Sequence, residues 1–373
     1  MTACSYDAVV VGAGIVGTAC ARELADAGLR VALCDQNVYT GGGATAAGMG
    51  HLAVMDDSEA QFALTSYSQA LWHELAVELP PAAEYLPCGA LWVAADQEEL
   101  DQAQRKCAFY RVRNVPAEML DAPQLAEAEP KLRAGLAGGL LLPADSVCYP
   151  PSATDYLARR VTETGGSLFL GARVNAVSED GVGFHDGTRV SAGVTVLATG
   201  AANLTPGIAV HPRKGHLAIT DRYPGFVRHQ LIELGYLKNA HSTTADSVAF
   251  NVQPRKTGQI LIGSSRQFGV DDGSTEAPML TKMLARVIEY MPSIRNLSMI
   301  RTWTGFRAAT PDNLPLIGVC PGYKKVYLAT GHEGLGISTS LATARLLADE
   351  ILGRVSAIAR APYEATRRFV LHA

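Results

Sequence analysis

Asp7-Ala8-Val9-Val10-Val11-Gly12-Ala13-Gly14-Ile15-Val16-Gly17 is the stretch that sets the architecture. Ala8 to Val11 is apolar without alternation, the pattern of a strand buried on both faces. Beyond it, Ile15, Val16, Ala19, Ala21, Leu24 and Ala25 recur at helical spacing, and Gly28 ends the helix. Residues 30–34 read as a second strand, closed by Asp35. The whole is the opening of a βαβ unit. Gly12 permits the tight turn after the strand, Gly14 lets the backbone approach phosphate oxygens, and Gly17 lets the helix pack close to the strand. The helix N-terminus adds free N–H groups and a partial positive charge. Asp35 stands where an acidic side chain binds ribose hydroxyls. A lone Gly-x-Gly-x-x-Gly is a weak signal and fits a plain βα turn. With strand, helix and acid at these offsets it specifies a dinucleotide site.

A second glycine cluster, Tyr327-Leu328-Ala329-Thr330-Gly331-His332-Glu333-Gly334-Leu335-Gly336-Ile337, repeats the form of β-rich run, glycines and helix near the other end. It suggests that the chain returns to the same sheet and closes over its ligand. A nicotinamide enzyme has no general need of that return; an enzyme that keeps a flavin does. Val194-Thr195-Val196-Leu197-Ala198-Thr199-Gly200-Ala201 is a buried strand ending in a small-residue turn, similar to the flavoprotein strand beside the adenine half of FAD. Gly41 to Gly50 leaves side-chain-free backbone after the ribose-binding strand, where an extended cofactor runs. The helix after Gly336 can aim its N-terminus at the flavin pyrimidine oxygen and stabilise charge on the reduced ring. Each segment alone is equally a structural feature; together they favour FAD over NAD. The expected cofactor contacts are Gly12, Gly14, Ile15, Val16, Asp35, Gln36, Gly43, Ala44, Thr45, Gly48, Met49, Gly50, Val174, Ala198, Thr199, Gly200, Arg307, Gly331, His332, Gly334, Leu335, Gly336 and Ile337.

The rest of the chain is consistent with an enzyme of this kind. Its 373 residues allow two domains or one large one, and 48% hydrophobic with 18% charged residues suits a well-packed globular protein. A net charge of −4 gives no reason to expect nucleic acid or an anionic membrane as partner. No apolar run is long enough for a transmembrane helix, and the N-terminus lacks the regions of a signal peptide. Seven dispersed cysteines without a Cys-x-x-Cys pair argue for buried thiols in a reducing compartment, and against an iron–sulfur cluster or structural zinc. The cytoplasm is the expected compartment.

Periodicity predicts helices around 58–79, 96–112, 121–128, 152–164, 278–290 and 337–353. It predicts strands around 89–94, 167–171, 194–198, 215–220, 247–252, 259–263 and 326–330. Residues 248–263 have a hairpin pattern turning at Lys256-Thr257-Gly258. The expected fold is α/β: a doubly wound Rossmann-like FAD-binding domain interleaved with an α+β substrate domain on a mixed, mostly antiparallel sheet. The expected division is 1–85, 140–210 and 300–373 for FAD, with 86–139 and 211–299 for the substrate.

These segments resemble the family of D-amino-acid oxidase, glycine oxidase and sarcosine oxidase over nearly the whole chain. Gly305-Phe306-Arg307-Ala308-Ala309-Thr310-Pro311-Asp312-Asn313-Leu314-Pro315-Leu316-Ile317-Gly318 is similar to the family's Gly-x-Arg…Thr-Pro-Asp…Pro…Gly segment. Asn251 to Gly263 is similar to its substrate-domain hairpin, and His211-Pro212-Arg213-Lys214-Gly215 to its Pro-x-x-Gly turn into that domain. Gly48-Met49-Gly50-His51-Leu52 and Gly331–Gly336 most resemble the hydroxyproline dehydrogenases and hydrogen cyanide synthase subunits. The resemblance implies FAD with substrate against one ring face. Sarcosine oxidases attach FAD through a cysteine upstream of Thr-Pro-Asp; Gly305 stands there, which implies non-covalent FAD.

Amino-acid oxidation needs a deprotonated amine, an α-hydrogen aimed at flavin N5 and an anchored carboxylate. Arg307 matches the family arginine whose planar fork grips the carboxylate; the alternative is a structural ion pair with Asp312. His51, His332 and Tyr236 are the further substrate-site candidates, each balanced against simple packing. No acid/base pair is discernible, so no catalytic side chain is assigned. The Gln259–Gly263 stretch lacks the lysine that some oxidases place near N5. The resemblance thus implies an amino-acid dehydrogenase, best matched to cis-4-hydroxy-D-proline, passing electrons to iron–sulfur and second flavoprotein subunits of a hetero-oligomer. The alternatives are an oxygen-using glycine, sarcosine or D-amino-acid oxidase, and a tRNA-modification or assembly subunit on the same fold.

Overall fold

The computed structural model describes residues 5–202, 204, 207–208, 210–235 and 246–369. Its first sheet runs Leu316–Val319, Val326–Thr330, Arg189–Leu197, Ser5–Val11, Val31–Asp35, Ser167–Leu170, with Gly181–Phe184 and Val174–Ser178 attached beside Arg189–Leu197. Ser5–Val11 pairs in parallel with both Val31–Asp35 and Arg189–Leu197, which in turn pairs in parallel with Val326–Thr330. The C-terminal glycine cluster therefore does return to the opening sheet. Val10, Leu33 and Val196 are fully buried under the helices on one face, and Val9 is fully buried on the other face, against Val174, Val182 and Phe184 of the attached hairpin. The fingerprint helix Ile15–Asp26 packs against Pro150–Glu163 and Gly336–Ile351. Full burial of a side chain such as Leu24 or Leu346 contributes about 1.5–3 kcal/mol.

The second sheet runs Met299–Ala309, His211–Thr220, Ile260–Arg266, Ser247–Pro254, Gln230–Glu233, Ala90–Ala94, Gly138–Leu142, Glu118–Asp121. All its pairings are antiparallel except Gln230–Glu233 with Ala90–Ala94, so it is mixed and mostly antiparallel. Helix Ala277–Tyr290 covers one face, where Tyr290 stacks on Phe250 at 4.6 Å between ring centres. The opposite face, with Leu217, Leu261 and Trp303, meets Met49 of the glycine-rich loop. The site forms between that face and the first sheet.

The hairpin turns at Lys256-Thr257-Gly258, with Gly258 at φ +85 and Arg255 N–H bonded to the Gln259 carbonyl at 2.9 Å. Residues 211–215 correct the reading as a turn: they open the strand His211–Thr220 and pair with Gly305–Ala309. Pro212 is tolerated because its pairing is with Ala308 alone, on the neighbouring strand of one side. The expected divisions at 139/140 and 299/300 each cut a strand of the second sheet, Gly138–Leu142 and Met299–Ala309. We propose that the substrate unit extends to Leu142 and Ala309 instead.

Candidate active site

The expected cofactor residues gather at the carboxyl ends of the parallel strands, where ligands bind in open α/β sheets. Gly12 has φ +108, and a Cβ there would lie 2.3 Å from the Ala198 carbonyl oxygen. A Cβ on Gly17 would fall 1.8 Å from the Gly12 carbonyl oxygen. Packing thus requires these two glycines. Gly14 is different: its Cβ would meet only the Thr45 hydroxyl, at 3.2 Å. No backbone contact accounts for its bareness, which fits the phosphate cradle expected there. Thr45 Oγ1 accepts from Ile15 N–H at 3.0 Å, beside Val16 in the helix's first turn. Asp35 Oδ2 accepts from Ala13 N–H at 2.6 Å, and Oδ1 from Asn37 N–H at 2.8 Å, which fixes the carboxylate against the glycine turn; Gln36 beside it is exposed.

The other segments converge on this edge. Ala172 N–H bonds to the Asp35 carbonyl at 2.9 Å, which brings the segment carrying Val174 to the end of Val31–Asp35. Ala198, Thr199 and Gly200 follow Arg189–Leu197, and Thr330 Oγ1 donates to the Gly200 carbonyl at 2.7 Å. The loop carrying Gly43, Ala44, Thr45, Gly48, Met49 and Gly50 touches the last helix: a Cβ on Gly48 would lie 2.7 Å from Ile337 Cδ1. Ser338 Oγ donates to the His51 carbonyl at 2.8 Å, just beyond Gly331, Gly334, Leu335 and Gly336. Gln253 Nε2 reaches across from the second sheet to the Met49 carbonyl at 2.8 Å.

Arg307 lies where substrate and cofactor units meet. Its Nη1 donates to the Ser265 carbonyl at 3.0 Å. The guanidinium lies across Gly215, where a Cβ would come within 2.4 Å of Nη1, and its Nε is 3.4 Å from the Cβ position of Gly334. Two glycines therefore make the channel that holds it. Asp312 is gripped bidentately by Arg367, at 2.8 Å to each oxygen, so the carboxylate considered as Arg307's structural partner serves another arginine. His51 heads a short ribbon with Val147, and its buried Nε2 has no hydrogen-bond partner; burial lowers its pKa to about 3. Such an orphaned polar atom beside a bare-backbone cleft fits a ligand-facing residue. His332 turns inward, with Nε2 at 2.9 Å from Thr343 Oγ1, the arrangement of a packing histidine. Tyr236 lies outside the described residues.

Burial also lowers the His332 pKa to about 3. Below pH 6.5 only the unfolded chain takes up this proton, so the stability present above that pH is lost as pH falls towards 3. At pH 5 the loss is about 2 kcal/mol for one histidine. Replacing His332 with glutamine should flatten the fall in unfolding free energy between pH 7 and 5 by about that amount. Denaturant titrations at both pH values measure it, and an unchanged slope counts against the buried neutral imidazole.

Arg213 and Glu333 were not singled out in the sequence, yet both stand beside Arg307. Arg213 is directly opposite it across the antiparallel pair, and Glu333 N–H bonds to the Ala308 carbonyl at 2.7 Å. A charged residue inside a glycine cluster was the available signal.

A family model described as FAD dependent oxidoreductase (DAO) matches residues 7–350. The chain is similar to a glycine oxidase of Geobacillus kaustophilus, 28% identical over 379 residues and 97% of each chain. It is also similar to hydrogen cyanide synthase subunit HcnC of Pseudomonas aeruginosa, 26% identical over 97% of this chain and 96% of that one. The structure resembles the crystal structure of the Geobacillus kaustophilus glycine oxidase with a TM-score of 0.88 at 27% identity, covering 98% of this chain and 99% of that one. It shares its fold with an L-proline dehydrogenase from P. horikoshii, with a TM-score of 0.85 at 23% identity over 97% of each chain.

Proposed function

The chain belongs to the DAO family of FAD-dependent oxidoreductases, and from that premise we propose that it oxidises the C–N bond of a small amino acid to the imine. Bound FAD supplies the hydride acceptor, its N5, for the substrate's α-hydrogen. The residues that would hold it are Gly12, Gly14 and Thr45 at the pyrophosphate, Asp35 at the ribose, and the Gly48–His51 and Gly331–Ile337 loops along the flavin.

The observation that carries the reading is Arg307. Its guanidinium is set in advance by the Ser265 carbonyl and by two glycines, at the seam of the two sheets. A planar fork fixed in this way grips a carboxylate in one orientation and so turns the adjacent α-carbon toward one direction. The chain needs no acid/base pair if the amine arrives deprotonated. His51, kept neutral by burial, offers a hydrogen-bonding nitrogen without adding charge.

FAD is held without a covalent bond in this proposal: a Cβ at Gly305 would lie 2.3 Å from Ala47 Cβ, so a cysteine there has no room. The preferred substrate is cis-4-hydroxy-D-proline, oxidised by a cytoplasmic dehydrogenase that hands electrons to iron–sulfur and second flavoprotein subunits. The subunit named in the HcnC relative supports a heteromeric arrangement. The glycine oxidase relatives favour a second reading, direct reduction of oxygen. Anaerobic bleaching of the flavin by a panel of D- and L-amino acids, with both hydroxyproline epimers, tests the substrate. Peroxide release in air separates the two readings. A flavin that no amino acid bleaches overturns both.

A further inference from the structure

Beside Arg307 is an ion pair that leaves half of its bonding capacity unused. Arg213 Nη1 meets Glu333 Oε1 at 3.0 Å, with side chains only 10% and 7% exposed. An arginine and a carboxylate can form two parallel bonds, fork to fork. Here Arg213 Nε and Glu333 Oε2 are both buried without a hydrogen-bond partner. Arg213 does not drift toward a second bond, because its guanidinium lies over the Phe268 ring at 4.6 Å. Glu333 is likewise fixed: it sits in left-handed backbone at φ +51, bonded to the Ala308 carbonyl, and Arg266 Nε lies 3.8 Å from Oε1. A buried donor and a buried acceptor left open in neighbouring side chains is a costly arrangement unless something pairs with both.

We propose that Arg213 and Glu333 form a second recognition arm for a substrate side-chain group that both donates and accepts a hydrogen bond, a hydroxyl or a carboxamide. This rests on the amino-acid reading above, with Arg307 holding the carboxylate. Arg213 is the directly opposed neighbour of Arg307 on the adjacent strand. Opposed side chains in an antiparallel pair project from the same face, about 5 Å apart at the backbone, within the span of one small amino acid. A second carboxylate on the substrate would face the Glu333 anion and be disfavoured. An apolar side chain would leave both atoms unpaired, the situation in which a polar site discriminates most strongly.

The test compares matched substrates on the FAD-loaded enzyme: D-serine with D-alanine, and cis-4-hydroxy-D-proline with D-proline. Anaerobic stopped-flow flavin reduction gives kcat/KM for each. The hydroxylated member should be preferred at least about tenfold. In Glu333→Ala and in Arg213→Lys, which keeps the charge but removes Nε, the ratio within each pair should collapse toward one. FAD content and far-ultraviolet circular dichroism identify a variant that has failed to fold, and the other variant then decides. Turnover of all four amino acids with no hydroxyl preference, or a ratio kept within twofold in the folded variants, overturns this arm alone. Bleaching by none of the amino acids overturns it together with the proposed function.

Discussion

Arg307→Met is expected to lower kcat/KM for the amino-acid substrate about a thousandfold while the protein stays folded and yellow. The bidentate, charge-assisted pair contributes about 1.5–3 kcal/mol. Removing one partner also strands the substrate carboxylate in a partly buried site, which brings the expected loss to about 4 kcal/mol, or three powers of ten. Methionine keeps the unbranched stem that packs against Gly334 while removing the guanidinium that lies across Gly215. Arg307→Lys retains a charge without the fork, so an intermediate loss of about ten- to a hundredfold is expected. Rapid-reaction flavin reduction separates the effects, since a lost anchor raises the apparent Kd before it slows the chemical step. A Met variant that turns over its amino acid within threefold of the parent would sink the anchor, and with it the assignment of the substrate carboxylate to this corner.

The sequence made the nucleotide unit legible because its signals are local. Gly17 is required by the Gly12 carbonyl inside the first βαβ unit and Gly12 by the Ala198 carbonyl just beyond the neighbouring strand, and backbone contacts of that kind leave glycines at fixed spacing. The same holds for Gly258, whose left-handed φ marks the hairpin of the second sheet. The substrate sheet was harder to read because its edges are made by polar segments whose partners lie far away. Met299–Ala309 mixes arginine, threonine and glycine, with an outer end that is exposed, so no alternation announces a strand. Its order comes from His211–Thr220, some ninety residues earlier in the chain. In the first sheet the attached hairpin of Val174–Ser178 and Gly181–Phe184 is hidden for another reason: its Asn, Asp and Gly content reads as loop.

Candidate site residues followed the same rule. Arg307 stood out through a motif, and its bonding to Ser265 is a tertiary fact that no spacing discloses. His332 and His51 look alike in sequence, each next to glycines, yet one bonds Thr343 inside the last helix and the other has an open buried nitrogen. The Arg213–Glu333 pair is assembled from two segments 120 residues apart, and neither half is unusual alone.

Gly12→Ala should yield protein that is nearly colourless and less stable, whereas Gly14→Ala should fold normally and bind FAD weakly. The contrast separates glycine as a packing device from glycine as a ligand surface. At position 12 the new methyl would sit 2.3 Å from the Ala198 carbonyl oxygen and 2.8 Å from its carbon, both backbone atoms just past the end of a central strand. The φ of +108 adds strain for any L side chain. Overpacking and backbone strain together cost about 3–5 kcal/mol, a large fraction of the 5–15 kcal/mol typical of a domain. The turn that presents Gly14 is displaced with it, so FAD content should fall below about a tenth of the parent value. Gly14, by contrast, has φ −74 and meets only the Thr45 hydroxyl at 3.2 Å, a side chain able to rotate away. Its methyl would instead project toward the pyrophosphate and raise the FAD Kd about tenfold or more, with the apoprotein melting temperature nearly unchanged. Flavin absorbance after gel filtration, Kd from fluorescence quenching and melting of the apoproteins measure all three quantities. Equal FAD affinity in Gly14→Ala and the parent would mean that the first turn of Ile15–Asp26 does not hold the pyrophosphate, and the cofactor would have to enter this sheet by another route.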